Sequence, residues 1–149
     1  MRKAIFLIAV ICLCTLLFSA CDTTVKVADG TYRVEMAEFD ENGYKDYVEF
    51  VIVGGKVISI DADAYHIDDE HLKTESSEMR LAMESITGTY PEKFYNDLVN
   101  EYIGSGGENT DVIAGATLSS NNFFKLMEVA KKAAKTGDTS IKVVYSSDN

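Results

Sequence analysis

Polar and apolar residues alternate in three runs after residue 29. Tyr32, Val34 and Met36 alternate with Arg33 and Glu35, the period-2 pattern of a half-buried strand. Tyr47 to Val53 repeats the pattern, with Val48, Phe50 and Ile52 on one face. Lys56 to Ala62 gives a third strand, in which Ile58 and Ile60 are expected to face the core. Asp40-Glu41-Asn42-Gly43 and Gly54-Gly55 supply the turns between them, both suited to tight hairpins. Three sequential strands with short turns predict an antiparallel meander.

The spacing then changes to that of helices. Met79, Ala82, Met83 and Ile86 recur at helical intervals until Gly88. Pro91 suits the first turn of a second helix, whose apolar stripe is Phe94, Leu98 and Tyr102. A glycine-rich loop, Gly104 to Thr110, and a short apolar segment, Asp111 to Thr117, come next. Ser119 to Asn122 are cap-type residues. Phe123, Met127, Ala130 and Ala134 then mark an amphipathic helix with its lysines mostly outside, ended by Gly137. Ile141, Val143 and Tyr145 alternate as a last strand. The expected fold class is α+β: a mostly antiparallel sheet, made of the N-terminal meander and a C-terminal strand, packed with helices.

The N-terminus carries a different message. Arg2 and Lys3 precede an uncharged apolar run, Ala4 to Phe18, and small residues Ser19 and Ala20 lead to Cys21. A basic start, a short apolar run and a small-residue exit mark a secretory signal. Leu17-Phe18-Ser19-Ala20-Cys21 resembles a lipobox, which implies a diacylglyceryl group on Cys21 and a lipid-anchored protein on the extracytoplasmic face of a membrane. All three cysteines, Cys12, Cys14 and Cys21, lie in this segment, so the remaining chain has no disulfide and no cysteine-ligated metal. Removing Arg2 and Lys3 from the 14 basic residues leaves 12 against 24 acidic ones, a mature charge of −12. That excludes nucleic acid as a partner, since its binders need a basic face, and disfavours adhesion to anionic lipid.

The candidate chemistry centres on Asp111-Val112-Ile113-Ala114-Gly115-Ala116-Thr117. Gly115 and Ala116 carry little side chain, so a large flat ligand can come close to the backbone. Thr117 displays a hydroxyl beside a helix N-terminus, a place that favours phosphate. The run Asp111-x-x-x-Gly115-Ala116-Thr117 resembles the flavinylation motif of FMN-binding domains. Asp29-Gly30-Thr31-Tyr32 resembles that family's opening strand, and Asn42-Gly43-Tyr44 and Gly54-Gly55-Lys56-Val57 its hairpins, in the expected order. Two positions depart from the family pattern: Ala114 stands where Ser or Thr is usual, and Ser119 where Thr is frequent.

The resemblance implies FMN joined to Thr117 through a phosphoester bond by a dedicated flavin transferase, with Mg²⁺ needed only for attachment. Gly115 and Ala116 would leave room around the phosphate. Asp111 would help the transferase bind Mg²⁺ or orient the loop. Ser119 and Ser120 would cap the helix or contact phosphate. A membrane reductase or quinone-linked donor would supply electrons, so the protein is expected to be a carrier and not a self-sufficient enzyme. A covalent tether suits an environment poor in free flavin. The acidic surroundings predict a reduction potential below that of free FMN. The expected organisation is a signal peptide over 1–20, a lipidated Cys21 with a tether to residue 28, and an FMN-binding domain over 29–149. The alternative is a surface lipoprotein of the same fold that binds a small ligand noncovalently or acts only as an interaction module.

His66-Ile67-Asp68-Asp69-Glu70-His71 contains several possible metal ligands, but its spacing matches no established motif. It reads as a solvated acidic loop. Gly104-Ser105-Gly106-Gly107 lacks the Lys and Ser/Thr of a phosphate loop.

Overall fold

The structure, a computed structural model, describes residues 27–108 and 110–146. The expected signal peptide, Cys21 and most of the expected tether lie outside the described residues. Strands β1 (Gly30–Met36), β2 (Tyr44–Val53) and β3 (Lys56–His66) form the antiparallel meander. A single 3₁₀ turn, Lys73–Glu75, leads to helices α1 (Ser77–Thr87), α2 (Pro91–Gly104) and α3 (Thr117–Thr136). A short strand β4 (Lys142–Val144) returns beside β1, parallel to it, giving the order β3-β2-β1-β4. The fold is therefore α+β, with one parallel pairing in an otherwise antiparallel sheet.

The core lies between one face of this sheet and helices α2 and α3. Tyr32, Val34 and Met36 from β1 and Val48, Phe50 and Ile52 from β2 meet Phe94, Leu98 and Tyr102 from α2 and Phe123, Met127, Ala130 and Ala134 from α3. These are the residues whose periodicity marks them in the sequence. The meander is locked at one end by Asp29, whose carboxylate accepts from the backbone N–H groups of Gly54 and Gly55, both at 2.8 Å. Both glycines have positive φ, +60° and +71°, the type I′ geometry that matches strand twist. Two of the sequence signals, Asp29-Gly30 and Gly54-Gly55, thus meet in space.

Four expectations need correction. Ile58 does not face the core but is 62% exposed. The register shifts between Val51 and Ile52, so Val51 pairs with Ser59 and Ile52 with Val57. Ile58 falls at that irregularity, where simple alternation breaks. In β4 the parity is reversed: Val144 is buried beside Met36, whereas Ile141, Val143 and Tyr145 are exposed. Helix α1 forms as expected but buries no residue. Its Met83 is partly buried against the core, and Ile86 is left 83% exposed. Finally, α3 starts at Thr117, with Ala116 as N-cap, so Ser119 and Ser120 lie inside the helix and do not cap it.

The other sheet face is polar and open. Arg33, Glu35, Lys45 and Tyr65 make a hydrogen-bonded charge network there, with the Arg33 guanidinium 3.9 Å from the Tyr47 ring centre. Among the described residues no helix is long and apolar enough to cross a membrane.

Candidate functional site

The Thr117 site is built from a tight turn, the start of α3 and the end of α1. The turn closes when the Ala116 N–H donates to the Ile113 carbonyl at 2.9 Å. The Ser120 hydroxyl staples it from inside. It accepts from the Ile113 N–H at 3.0 Å and donates to the Ala116 carbonyl at 2.8 Å. Ser120 is fully buried. Its polar atoms are spent on the backbone, so it shapes the loop and does not face a phosphate.

Gly115 adopts φ +81°, a region that costs other L-residues strain. A Cβ placed on it would lie 2.4 Å from the Cβ of Thr87, the last residue of α1. One side of Gly115 is therefore filled by protein while its other side is exposed. Ala116 is buried in the core. The small residues let chain pack on chain here, in addition to any room they leave for a ligand.

Thr117 is exposed and is the first residue of α3. The helix has no side-chain cap and no acidic residue in its first turn. The first amides of a helix have no intrahelical acceptor, and the dipole adds positive potential. This end can accept an anion beside the Thr117 hydroxyl. Asp111 is exposed six residues earlier, as are Val112 (44%) and Leu118 (58%). Thr117 thus stands among open apolar surface, and a tethered planar group could rest there.

The start of α3 is fixed from below by a buried carboxylate. Asp46 of β2, 4% exposed, accepts from the Tyr95 hydroxyl and from Asn122 Nδ2, the latter at 2.7 Å. Ser119 is also buried. Burial, then the charge of Asp46, holds the Tyr95 phenol well above its usual range. Side chains from β2, α2 and α3 meet in this group. Asp46 carried no signal in the sequence, because a single acid in a strand reads as a solvent-facing position.

Cavities also lie elsewhere, two of them notable. One, of about 400 Å³, sits on the open sheet face and is lined by Arg33, Glu35, Tyr47, Tyr65, Glu70 and Leu72. The other, of about 270 Å³, is mostly apolar, with Phe50, Val57, Ile60, Tyr102, Ile103 and Lys131 in its wall. The Tyr102 hydroxyl is itself buried and finds no hydrogen-bond partner among the described residues. Burial, then the charge of Glu108, pushes this phenol up to about 12.

The loop after β3 is solvated, as its acidic sequence predicts, and it also brings three side chains together. Residues 67–70 are exposed, but His66, Asp69 and His71 converge, with ligand-type atoms within 4.8 Å of one another.

No protein-family model matches the chain. It is 33% identical over 129 residues to the 15 kDa lipoprotein of Treponema pallidum (strain Nichols), covering 86% of this chain and 89% of that protein. Among solved structures, it is similar to the crystal structure of a Clostridium perfringens protein. The TM-score is 0.74 and the identity 31%, over 80% of this chain and 98% of the other.

Proposed function

The chain belongs to the family of the Treponema pallidum 15 kDa lipoprotein, and from that premise we propose an extracytoplasmic electron carrier, anchored by lipid at Cys21, that holds FMN covalently on Thr117. The family makes it a lipoprotein, in keeping with the lipobox-like run ending at Cys21. The flavin part rests on the motif and on the local geometry.

The observation that carries the reading is the placement of Thr117. Its side chain is exposed at the uncapped, acid-free N-terminus of a 20-residue helix. A phosphoester at that hydroxyl would sit where the first-turn amides can donate to its oxygens. The Ser120 staple and the Asp46 group keep that end rigid. Asp111 stands exposed on the approach, available to the Mg²⁺ of a transferase. When bound, FMN supplies reversible electron transfer, and the protein supplies position and field. Ala114 removes one hydroxyl that related motifs offer beside the phosphate. Electrons would come from a membrane reductase or quinone-linked donor, within reach of a lipid-anchored carrier.

Intact-mass measurement tests this reading. Residues 22–149 co-expressed with a flavin transferase should gain the mass of FMN less one water, mapped by peptide fragmentation to Thr117. An unmodified mass, with the transferase active on another substrate, would refute it.

A second reading is a lipoprotein of the same fold that binds a small ligand noncovalently. The observation in its favour is the mostly apolar cavity beside Tyr102. Saturable binding there, with no flavin on Thr117, would favour it.

A further inference from the structure

We propose that the hairpin loop after β3 is a binding site for a divalent first-row transition cation such as Zn²⁺, ligated by His66, Asp69 and His71. The chain has two histidines, and the fold stacks one on the other, with ring centres 4.8 Å apart and planes within 23°. His66 ends β3 opposite Tyr44. Its N–H donates to the His71 carbonyl at 3.0 Å, and the Glu70 N–H donates back to the His66 carbonyl at 3.0 Å. A bridge between Tyr65 and Leu72 closes the hairpin. The turn requires Glu70 at φ +59°, the one non-glycine residue with positive φ among those described. Such strain persists where the surroundings over-determine it, and it clusters at functional sites.

Two neutral imidazoles and one carboxylate suit zinc and its neighbours better than Ca²⁺ or Mg²⁺, which prefer all-oxygen sets. One ring nitrogen from each histidine and one Asp69 oxygen lie within 4.8 Å of one another. Tetrahedral zinc, with bonds near 2 Å, needs such atoms roughly 3.3 Å apart. With the His71 ring held by Tyr44, a turn of the exposed Asp69 side chain and of the half-buried His66 ring brings the other two atoms to that spacing. The His71 Nδ1 already contacts Asp69 Oδ1, and a cation would bind there to the neutral ring that carries its proton on Nε2. The other nitrogen, Nε2, lies 2.7 Å from the hydroxyl of Tyr44, whose ring is buried. Metal-binding histidines almost always use their second nitrogen in this way, and the partner fixes the ring. Gly43 packs against His66 from the other side: a Cβ there would meet Nε2 at 2.8 Å. Three protein ligands leave a fourth position open. This inference does not depend on the flavin reading.

Isothermal titration of residues 22–149 with Zn²⁺ tests the site. That segment contains the whole described fold and no cysteine. One equivalent should bind. His66→Gln, His71→Gln and Asp69→Asn should each weaken binding by at least about tenfold, and Tyr44→Phe by about tenfold, the scale on which outer partners act. Zn²⁺ should also shift the side-chain nitrogen signals of both histidines in NMR spectra, a readout available in the wild type even if a variant fails to fold. No saturable binding, unmoved histidine signals, or equal affinity in folded variants would overturn the proposal.

Discussion

Gly115→Ala is the most direct test of how the loop before α3 is held. The substitution places a methyl group at φ +81°, with its carbon 2.4 Å from Thr87 Cβ, 2.8 Å from Oγ1 and 2.9 Å from Cγ2. The left-handed conformation alone costs a non-glycine residue about 1–2 kcal/mol. Overpacking typically costs about 1–3 kcal/mol more. Helix α1 buries no residue, so it can move away and relieve part of the clash. The expected loss is therefore about 2–3 kcal/mol, from the lower part of the combined range. That is a large share of a typical total of about 5–15 kcal/mol. Urea denaturation followed by circular dichroism would measure it. A double-mutant cycle locates the cause. Thr87→Ala keeps the Cβ that makes the closest contact and should rescue Gly115→Ala only weakly, whereas Thr87→Gly removes it and should rescue more. Wild-type stability to within about 0.5 kcal/mol for Gly115→Ala, the scatter of an ordinary surface change, would refute the argument.

Two further outcomes follow from buried and paired charges. Asp46→Ala strands the Tyr95 hydroxyl and the Asn122 amide. Tyr95 is buried and Asn122 half-buried, so at about 1–3 kcal/mol per unpartnered buried donor denaturation should show a loss of at least about 1 kcal/mol, and a loss under about 0.5 kcal/mol would contradict the group's structural role. Burial pushes the Glu35 carboxyl up, but hydrogen bonds from Arg33 and Tyr65 and the charges of Arg33 and Lys45 outweigh it, leaving the group below its usual 4.5. A depressed carboxyl contributes stability above its unfolded value and loses it as pH falls through the folded one. Glu35→Gln should therefore destabilise near neutral pH and flatten the fall in thermal stability below about pH 4.5, and an unchanged acid profile would count against the network.

The meander was legible because its information is local. Tyr32, Val34 and Met36 alternate with polar neighbours, and Gly54-Gly55 can make few turns other than the one observed. The helices were legible from Phe94, Leu98, Phe123 and Met127 for the same reason. Ile58 was misplaced because a register shift depends on strand pairing, which one strand's sequence does not contain. In β4 three apolar residues face out and only Val144 faces in, since its orientation is set by pairing with β1. The α3 start was misjudged because Ser119 and Ser120 have the composition of caps. Both are instead buried inside the helix, and the Ser120 hydroxyl bonds the Ile113–Ala116 turn. His66, Asp69 and His71 were passed over for lack of motif spacing. Their convergence comes from a strained turn at Glu70 and from ring stacking, neither of which a spacing rule encodes. Thr117 is legible as a candidate from its motif, and in the fold it is an exposed residue at the first position of α3.

The central claim is flavin attached at Thr117. Residues 22–149 and the Thr117→Val variant would be expressed with a flavin transferase, run on denaturing gels and imaged for flavin fluorescence. The account predicts a fluorescent wild-type band that is absent from the variant at equal protein. A dark wild-type band while the transferase labels another substrate, or a variant as bright as the wild type, would contradict it.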